Sequence, residues 1–285
     1  MKINIKTISS LAYHILQSHA VGHVHSVYRK TINLQFDEQL VSLQTASSPI
    51  SPLSLITELS QDAMEQLSIV CEQPVESFTS KIDVRTATEE IMFDFSDAAI
   101  FDSRLYASSN SCAALLKPAL ESSASNGFLP IFFPQIQEKN PSCADQFLVN
   151  LAAKNCISSC TKAFRETDYN KAATELIHMI GLGIGLTPSG DDFLCGILAG
   201  LVLTCNQNHP FTIELQDQLK KNLENTNDIS RAFLNCALES HFSEAVKKIP
   251  TASSPAELLS PFEAIGHSSG IDTLCGIYNI HTLFV

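Results

Sequence analysis

The chain has 285 residues, of which 45% are hydrophobic and 17% are charged, and its formal net charge is −12. This composition excludes a disordered chain and is typical of a folded protein with one large or two ordinary domains. The negative charge argues against nucleic acid as a partner, because no basic patch is visible. It does not exclude a small anionic substrate, since the local charge of a site can oppose the global charge.

The sequence gives no sign of a membrane partner. No apolar run is long enough to span a bilayer, and residues 1–10 lack the hydrophobic core of a signal peptide. The nine cysteines are scattered, are odd in number and form no Cys-x-x-Cys pair. Free thiols in a reducing compartment explain this usage, so we expect a cytoplasmic protein.

The N-terminal half is predicted to be rich in β-strands. Apolar and polar residues alternate in several short runs, which is typical of strands with one buried face. The predicted strands are 23–28, 32–36, 41–43, Ser77–Val84, Ile91–Phe95 and Ala99–Tyr106. Phe128–Phe133, interrupted by Pro130, is predicted to be a buried edge strand. Ser108–Ser125 is either a weak helix or a surface excursion.

From about residue 143 the apolar period becomes helical. Helical stripes are predicted at Phe147–Ala152, Ala172–Ile180, Leu215–Leu223 and Ile229–Ala237, with later helices beginning at Pro255 and after Ser269-Gly270. The chain is therefore predicted to be an α+β protein with segregated elements. We expect a β-rich domain over 1–140 and a helical domain over 141–285, with the boundary between 134 and 145.

The most informative segment is glycine-rich and leads directly into a predicted helix. Residues 181–196 read Gly-Leu-Gly-Ile-Gly-Leu-Thr-Pro-Ser-Gly-Asp-Asp-Phe-Leu-Cys-Gly. A helix N-terminus has free N–H groups and partial positive charge, and glycines allow close approach of the backbone to a ligand. The loop is therefore predicted to hold an anion. It matches neither the Walker pattern nor the dinucleotide fingerprint, because no Gly-Lys-Ser/Thr follows it and a helical segment precedes it.

A second copy of this motif occurs near the C-terminus. The pattern Ser-Gly-x-Asp-x-Leu-Cys-Gly is found at 189–196 and again at 269–276. We predict that the two helix starts form two halves of one cleft, related by a pseudo-twofold axis. The alternative is ordinary helix capping and close helix packing. Because two adjacent acids repel a phosphate, a hard cation such as Mg²⁺ at Asp191 and Asp192 is a candidate cofactor.

Two other residues near these motifs carry chemistry of their own. His267 is either an acid, base or anion donor, or only a turn residue. Arg231 is either a bidentate clamp for a carboxylate or phosphate, or a surface cation paired with Asp228.

The segment 181–200 resembles the signature of the AllH family, and the segments 226–231 and 266–272 are similar to further family segments. The named member of this family is a subunit of oxamate carbamoyltransferase in anaerobic allantoin breakdown. The resemblance implies a carbamoyltransferase subunit that acts with other subunits on small anions such as carbamoyl phosphate or oxamate. The alternative is a noncatalytic subunit that binds an anion or a nucleotide in a regulatory role, or that is purely structural.

The candidate site residues follow from the chemistry of this reaction, which requires the phosphate to be held, the carbonyl to be polarised and the amine to be positioned. The candidate catalytic residues are Asp191, Asp192, Asp272 and His267. The candidate substrate-binding residues all offer a hydrogen-bond donor or a close backbone approach; they are Gly183, Gly185, Thr187, Ser189, Gly190, Thr226, Asn227, Ser230, Arg231, Ser268, Ser269 and Gly270.

Overall fold

The computed structural model describes residues 1–17, 20–107, 113–123, 127–136 and 144–284. The chain divides into two compact units. The first comprises Met1–Arg104 with His241–Glu244, and the second comprises Leu105–Ser240 with Ala245–Val285. The predicted α+β class is confirmed, because strands dominate the first unit and helices the second. The predicted domain boundary falls mainly on residues 137–143, which lie outside the described residues.

Within the described ranges, the first unit contains nine strands and two short helices. The strands are β1 (Lys2–Ser9), β2 (Ala20–Val27), β3 (Thr31–Phe36), β4 (Gln39–Gln44), β5 (Ser54–Thr57), β6 (Pro74–Phe78), β7 (Lys81–Arg85), β8 (Glu90–Asp94) and β9 (Ala99–Phe101), and the helices are α1 (Ser10–Leu16) and α2 (Gln61–Glu65). The strand order is β5-β4-β3-β2-β6-β7-β8-β1-β9. Because β5 also pairs with β1, the sheet closes on itself.

Strand β1 makes this closure because it has three partners. Its first residues pair in parallel with β8 and its last residues pair in parallel with β9, while its other edge pairs antiparallel with β5. The apolar residues of the strands, together with those of α1 and α2, form one hydrophobic core. Its fully buried members include Ile8, Leu34, Leu43, Val84 and Phe93.

The predicted strand Ser77–Val84 is two strands in the structure. Strand β6 ends at Phe78 and β7 begins at Lys81, with these two residues paired across the turn. Thr79 has a φ of 56°, a left-handed conformation that reverses the chain direction. The run Thr79-Ser80-Lys81 interrupts the alternation at this turn, but it contains no Gly, Pro, Asn or Asp to mark a hairpin.

The second unit is helical. Its helices are α3 (Ala113–Ser122), α4 (Leu129–Phe132), α5 (Ala144–Arg165), α6 (Tyr169–Ile177), α7 (Ser189–Leu203), α8 (Pro210–Asn222), α9 (Asp228–Leu238), α10 (Glu244–Lys248), α11 (Pro255–Glu263) and α12 (Ser269–Leu283). Helix α7 lies at the centre, and its residues are almost all buried. In the part of the chain that the structure describes, each helix is too short or too polar to span a lipid bilayer.

The prediction of an edge strand at Phe128–Phe133 is wrong. These residues contain the short helix α4, and Pro130 lies in its first turn. Proline is favourable there, because the N–H that it lacks has no partner within a helix. The apolar run therefore marks a buried helical turn.

Candidate functional site

Helices α7 and α12 pack side by side with their N-termini at the same end. A Cβ atom placed on Gly196 would lie 2.0 Å from the Thr273 carbonyl oxygen, and one on Gly276 would lie 2.2 Å from the Phe193 carbonyl oxygen. Gly196 and Gly276 occupy equivalent positions in the repeated motif, as do Phe193 and Thr273. The two copies therefore make the same contact with each other, as a pseudo-twofold arrangement requires.

The turns that begin these two helices are joined directly. Thr187 Oγ1 and Ser269 Oγ are 2.8 Å apart. The hydroxyl of Ser269 also lies near the Asp192 carboxyl and lowers its pKa, and the hydroxyl of Ser189 does the same for the Asp272 carboxyl. The aspartate of each copy thus lies near the serine of the other copy, and the sequence-predicted residues of both motifs meet at one junction.

Asp272 is the most buried acid of this junction, with no exposed surface. Its Oδ1 accepts a hydrogen bond of 2.7 Å from the Phe128 N–H, whereas its Oδ2 is buried and has no partner among the described residues. Burial raises the pKa of Asp272 to about 6, against the opposing effect of the hydrogen bonds from Phe128, Ser189 and Ser268.

Asp192 is half-buried as a residue, but its Oδ2 is inaccessible and has no hydrogen-bond partner in the described chain. Burial raises the pKa of Asp192 well above its usual value, and the nearby charge of Asp272 raises it further. The hydroxyls of Ser269 and Thr187 act in the opposite direction. Asp192 and Asp272 therefore form a pair of interacting acids at the helix starts.

Sequence reasoning missed the segment that covers this pair. Gly127 has a φ of 54°, and a Cβ atom there would lie 2.1 Å from Asp272 Oδ1, so glycine is required for the Phe128 N–H to reach the carboxylate. Phe128 packs edge-on against Phe193 at 5.8 Å between ring centroids, and Phe132 stacks on Phe193 at 6.1 Å. The glycine was the only sequence signal of this contact.

Asp191 has a different environment from its neighbour. Its Oδ1 accepts the Gly181 N–H at 2.9 Å, and its Oδ2 accepts the Thr226 hydroxyl at 2.6 Å. Burial raises the pKa of Asp191, and these hydrogen bonds oppose the rise. Both carboxyl oxygens thus fasten the start of the glycine-rich loop to the segment that precedes α9.

Asn227 fastens the other end of the same loop. Its Nδ2 donates to the Leu186 carbonyl at 3.0 Å, while its Oδ1 accepts the Ser230 N–H and caps α9. Ser230 is buried, and its hydroxyl lies near the Asp191 carboxyl and lowers its pKa. Asp191 and Asn227 therefore hold the loop at residues 181 and 186.

Between these fixed points the loop is exposed at residues 184–186. Gly183 and Gly185 have φ values of 141° and 111°, which other residues rarely adopt. A Cβ atom on Gly183 would lie 2.4 Å from the Ser189 nitrogen, whereas nothing lies within 4 Å of one on Gly185. The loop backbone thus approaches the start of α7 at Gly183 and turns outward at Gly185.

The two helix starts differ in the N–H groups that they leave free. At α7, the Gly190 N–H donates to Leu182 and the Asp191 N–H donates to Pro188. At α12, the Asp272 N–H donates to Ser268, and the preceding N–H groups of residues 269–271 have no protein acceptor in the described ranges. Backbone donors for a ligand are therefore concentrated at the start of α12.

The remaining predicted residues lie outside the acid pair. His267 is exposed and has a φ of 47° in the turn before α12. Arg231 pairs with Glu224 at 3.0 Å and with Asp228 at 2.5 Å, which is the arrangement of a surface cation. No cluster of three or more His, Cys, Asp or Glu side chains is placed to hold a metal ion in the described part of the chain.

Comparison with known proteins gives two matches. Residues 179–280 match the family model described as oxamate carbamoyltransferase subunit AllH, and residues 3–100 match the AllH family N-terminal domain. No solved structure matches the chain. The first match contains both copies of the repeated motif, and the two matches together cover most of the chain. The chain belongs to the AllH family.

Proposed function

We propose that this chain is a subunit of a cytoplasmic carbamoyltransferase of the oxamate carbamoyltransferase type, and that the α7–α12 junction binds its small anionic substrate. The family match supports the subunit role. The observation that supports a binding site here is the junction itself, where the two copies of the motif meet through Thr187 and Ser269. Free N–H groups at the start of α12 supply partial positive charge beside it.

Carbamoyl transfer needs the donors that this junction presents. Carbamoyl phosphate and oxamate are both anions, and the reaction requires the phosphate or carboxylate to be held while the carbonyl is polarised. The hydroxyls of Thr187, Ser268 and Ser269 lie at half-buried positions around the acid pair. The matched family is described as one subunit of oxamate carbamoyltransferase. We therefore expect other subunits of the complex to complete the active site.

A noncatalytic subunit is the second candidate, and two observations favour it. Asp191 has both oxygens engaged with protein donors, and Gly196 and Gly276 are explained by close helix packing. These parts of the motif therefore have structural roles without any ligand. In that case the chain would stabilise or regulate the complex instead of holding its substrate.

Ligand binding to the purified chain tests the proposed site. We expect oxamate or carbamoyl phosphate to raise the melting temperature, because a ligand that binds only the folded state stabilises it. Ser269→Ala should abolish this rise, since it removes the hydroxyl that joins the motifs. Ser254→Ala is the matched control, because it removes the capping hydroxyl of α11 instead.

The assembled complex separates the two candidate functions. Asp192→Asn should lower turnover if the junction is part of the active site. If the complex with Asp192→Asn turns over at the full rate, the catalytic role is wrong. If neither the chain nor the complex responds to either anion, the binding site itself is wrong.

A further inference from the structure

Helix α5 is covered along only part of its length. Its C-terminal half packs into the second unit through one face, on which the buried residues are Ala153, Ile157, Cys160 and Ala163. Their spacing of three or four positions is that of one side of a helix. Before Ala153, none of the described side chains from residue 145 onward is buried. The first two turns of α5 therefore remain at the surface.

These uncovered turns carry large apolar side chains. Phe147, Leu148 and Leu151 are 64%, 61% and 46% exposed, and their spacing makes them one continuous patch. Leu151 precedes the buried Cys160 by nine residues, or about two and a half turns, so the patch and the buried face lie on opposite sides of the helix. Single apolar residues are ordinary at a surface, whereas a continuous patch is typical of a binding surface.

A hollow opens further along the same side of α5. It has a volume of about 490 Å³ and is lined by Ile157, Ser158, Thr161, Lys162, Arg165 and Glu166. Ser158, Lys162 and Arg165 follow Leu151 by 7, 11 and 14 residues, which places them on the same face as the patch. This face of α5 therefore has an apolar projection near its start and an open hollow near its end.

We propose that this face of α5 is an interface between two copies of the chain, which pack their α5 helices antiparallel across a twofold axis near Lys154 and Asn155. Phe147 and Lys162 are about 22 Å apart along the helix, and the axis lies midway between them. In this arrangement Phe147 of each copy enters the hollow of the other. A twofold axis makes the contact occur twice, because both copies use the same surface.

The side chains that face each other in this arrangement match in size and chemistry. Leu151 of one copy faces Ser158 of the second copy, so a large residue meets a small one, as interdigitating helices require. The ring of Phe147 lies beside Lys162 of the second copy. The methylene stem of a lysine covers apolar surface, and its ammonium group is attracted to the face of an aromatic ring.

The charges along α5 favour the antiparallel orientation. Asp145 is in the first turn, and Lys162 and Arg165 are in the last turn. An antiparallel second copy brings the acid of each helix beside the bases of the other, and it also opposes the two helix dipoles. A parallel copy would place like charges side by side. Because the whole chain has a net charge of −12, two copies repel each other, and the basic end of α5 reduces this repulsion locally.

A second copy fits this face better than an unrelated partner does. The projection and the hollow that receives it are both on α5, as are the acid and the bases that it would meet. Self-complementarity of this kind is what a twofold contact requires. With 22 residues the helix is about 33 Å long and about 10 Å in diameter, so the contact is smaller than the roughly 800 Å² per partner of a standard interface. We therefore expect a reversible dimer that dissociates in the micromolar range.

Sedimentation velocity of the full chain across the micromolar range tests this interface. We expect the wild-type chain to pass from monomer to dimer as its concentration rises. Leu151→Asp should raise the dissociation constant of the dimer at least about tenfold, because it places a charge in the apolar contact twice. Ile213→Asp is the matched control, since Ile213 is a 57% exposed apolar residue of α8, and it should leave the equilibrium unchanged.

Charge reversal tests the antiparallel orientation. Arg165→Asp and Asp145→Arg should each weaken the dimer by about tenfold, because each variant brings like charges together in both symmetric contacts. The double variant Asp145→Arg/Arg165→Asp should restore the dimer. These two residues are about 30 Å apart along one helix, so restoration requires contact between copies.

A wild-type chain that stays monomeric across the micromolar range overturns the proposal, and so does a dimer that Leu151→Asp leaves unchanged. Failure of the double variant to restore the dimer overturns the antiparallel arrangement. If Leu151→Asp instead releases another subunit from the assembled complex, the face belongs to that subunit and the proposal is wrong. The charge-reversal variants decide the question if Leu151→Asp does not fold.

Discussion

Replacement of Gly196 by alanine tests the close packing on which the junction depends. The added methyl group would lie 2.0 Å from the Thr273 carbonyl oxygen, well inside van der Waals contact. That oxygen belongs to the backbone of α12, so it cannot move aside without moving the helix. Helices α7 and α12 would have to separate by about 1 Å to relieve the clash.

The expected cost follows from two opposing effects. Overpacking of a well-packed core destabilises a protein by typically about 1–3 kcal/mol, and a rigid backbone neighbour places this case at the upper end. Alanine is about 1 kcal/mol more favourable than glycine within a helix. The free energy of unfolding of Gly196→Ala should therefore fall by about 2 kcal/mol. The free energy of unfolding of Gly276→Ala should fall by a similar amount, because its methyl group would lie 2.2 Å from the Phe193 carbonyl oxygen.

Urea unfolding of the full chain at constant pH measures this difference. Gly266→Ala is the matched control, because nothing lies within 4 Å of a Cβ atom at that position. The control should remain within about 0.5 kcal/mol of the wild-type chain, as is usual for surface substitutions. Equal stabilities of Gly196→Ala and Gly266→Ala would show that the helices do not pack as described.

Three further predictions concern buried polar groups. Because the pKa of Asp272 rises from 3.8 to about 6 on folding, the folded state binds more protons between these pH values. The stabilisation from this group should be complete below about pH 4 and lost by about pH 6, a fall of up to about 3 kcal/mol. Asp272→Asn should remove that fall from the pH dependence of urea midpoints, and an unchanged profile would contradict the assignment. Thr226→Val should cost about 1–3 kcal/mol in urea unfolding, since it removes the 2.6 Å bond to buried Asp191, whereas a neutral result would mean that this bond does not fix the loop. Alkylation mapped by mass spectrometry should modify exposed Cys205 before buried Cys275, whose thiol pKa is raised by burial, and the reverse order would place Cys275 at the surface.

The parts of the fold that sequence predicted are those set by local chemistry. Ser254 followed by Pro255 predicts the start of α11, because capping and proline preference act within a few residues. The repeated motif predicts the starts of α7 and α12 for the same reason. Closure of the sheet by β1 was not predictable in this way, because alternation shows which face of a strand is buried but not which strand lies beside it.

The candidate site shows the same limit at the level of single residues. Alignment of the two motif copies places Asp192, and not Asp191, opposite Asp272, and this is the acid that joins the pair. Sequence chemistry alone treated both adjacent acids alike. The bond from the Phe128 N–H to Asp272 could not be predicted from the sequence, because these residues are 144 positions apart and no periodic pattern connects them.

The return of His241–Glu244 to the first unit has a consequence for how this protein can be made and divided. Phe242 donates its N–H to the Ser103 carbonyl at 2.8 Å, and the Ser103 hydroxyl lies 2.8 Å from His241 Nδ1. During synthesis, these bonds can form only after residues 241–244 have been made, and by then most of the chain has been synthesised. A recombinant fragment cut after Arg104 would lack them, so a dissected version needs residues 241–244 grafted back through a short linker.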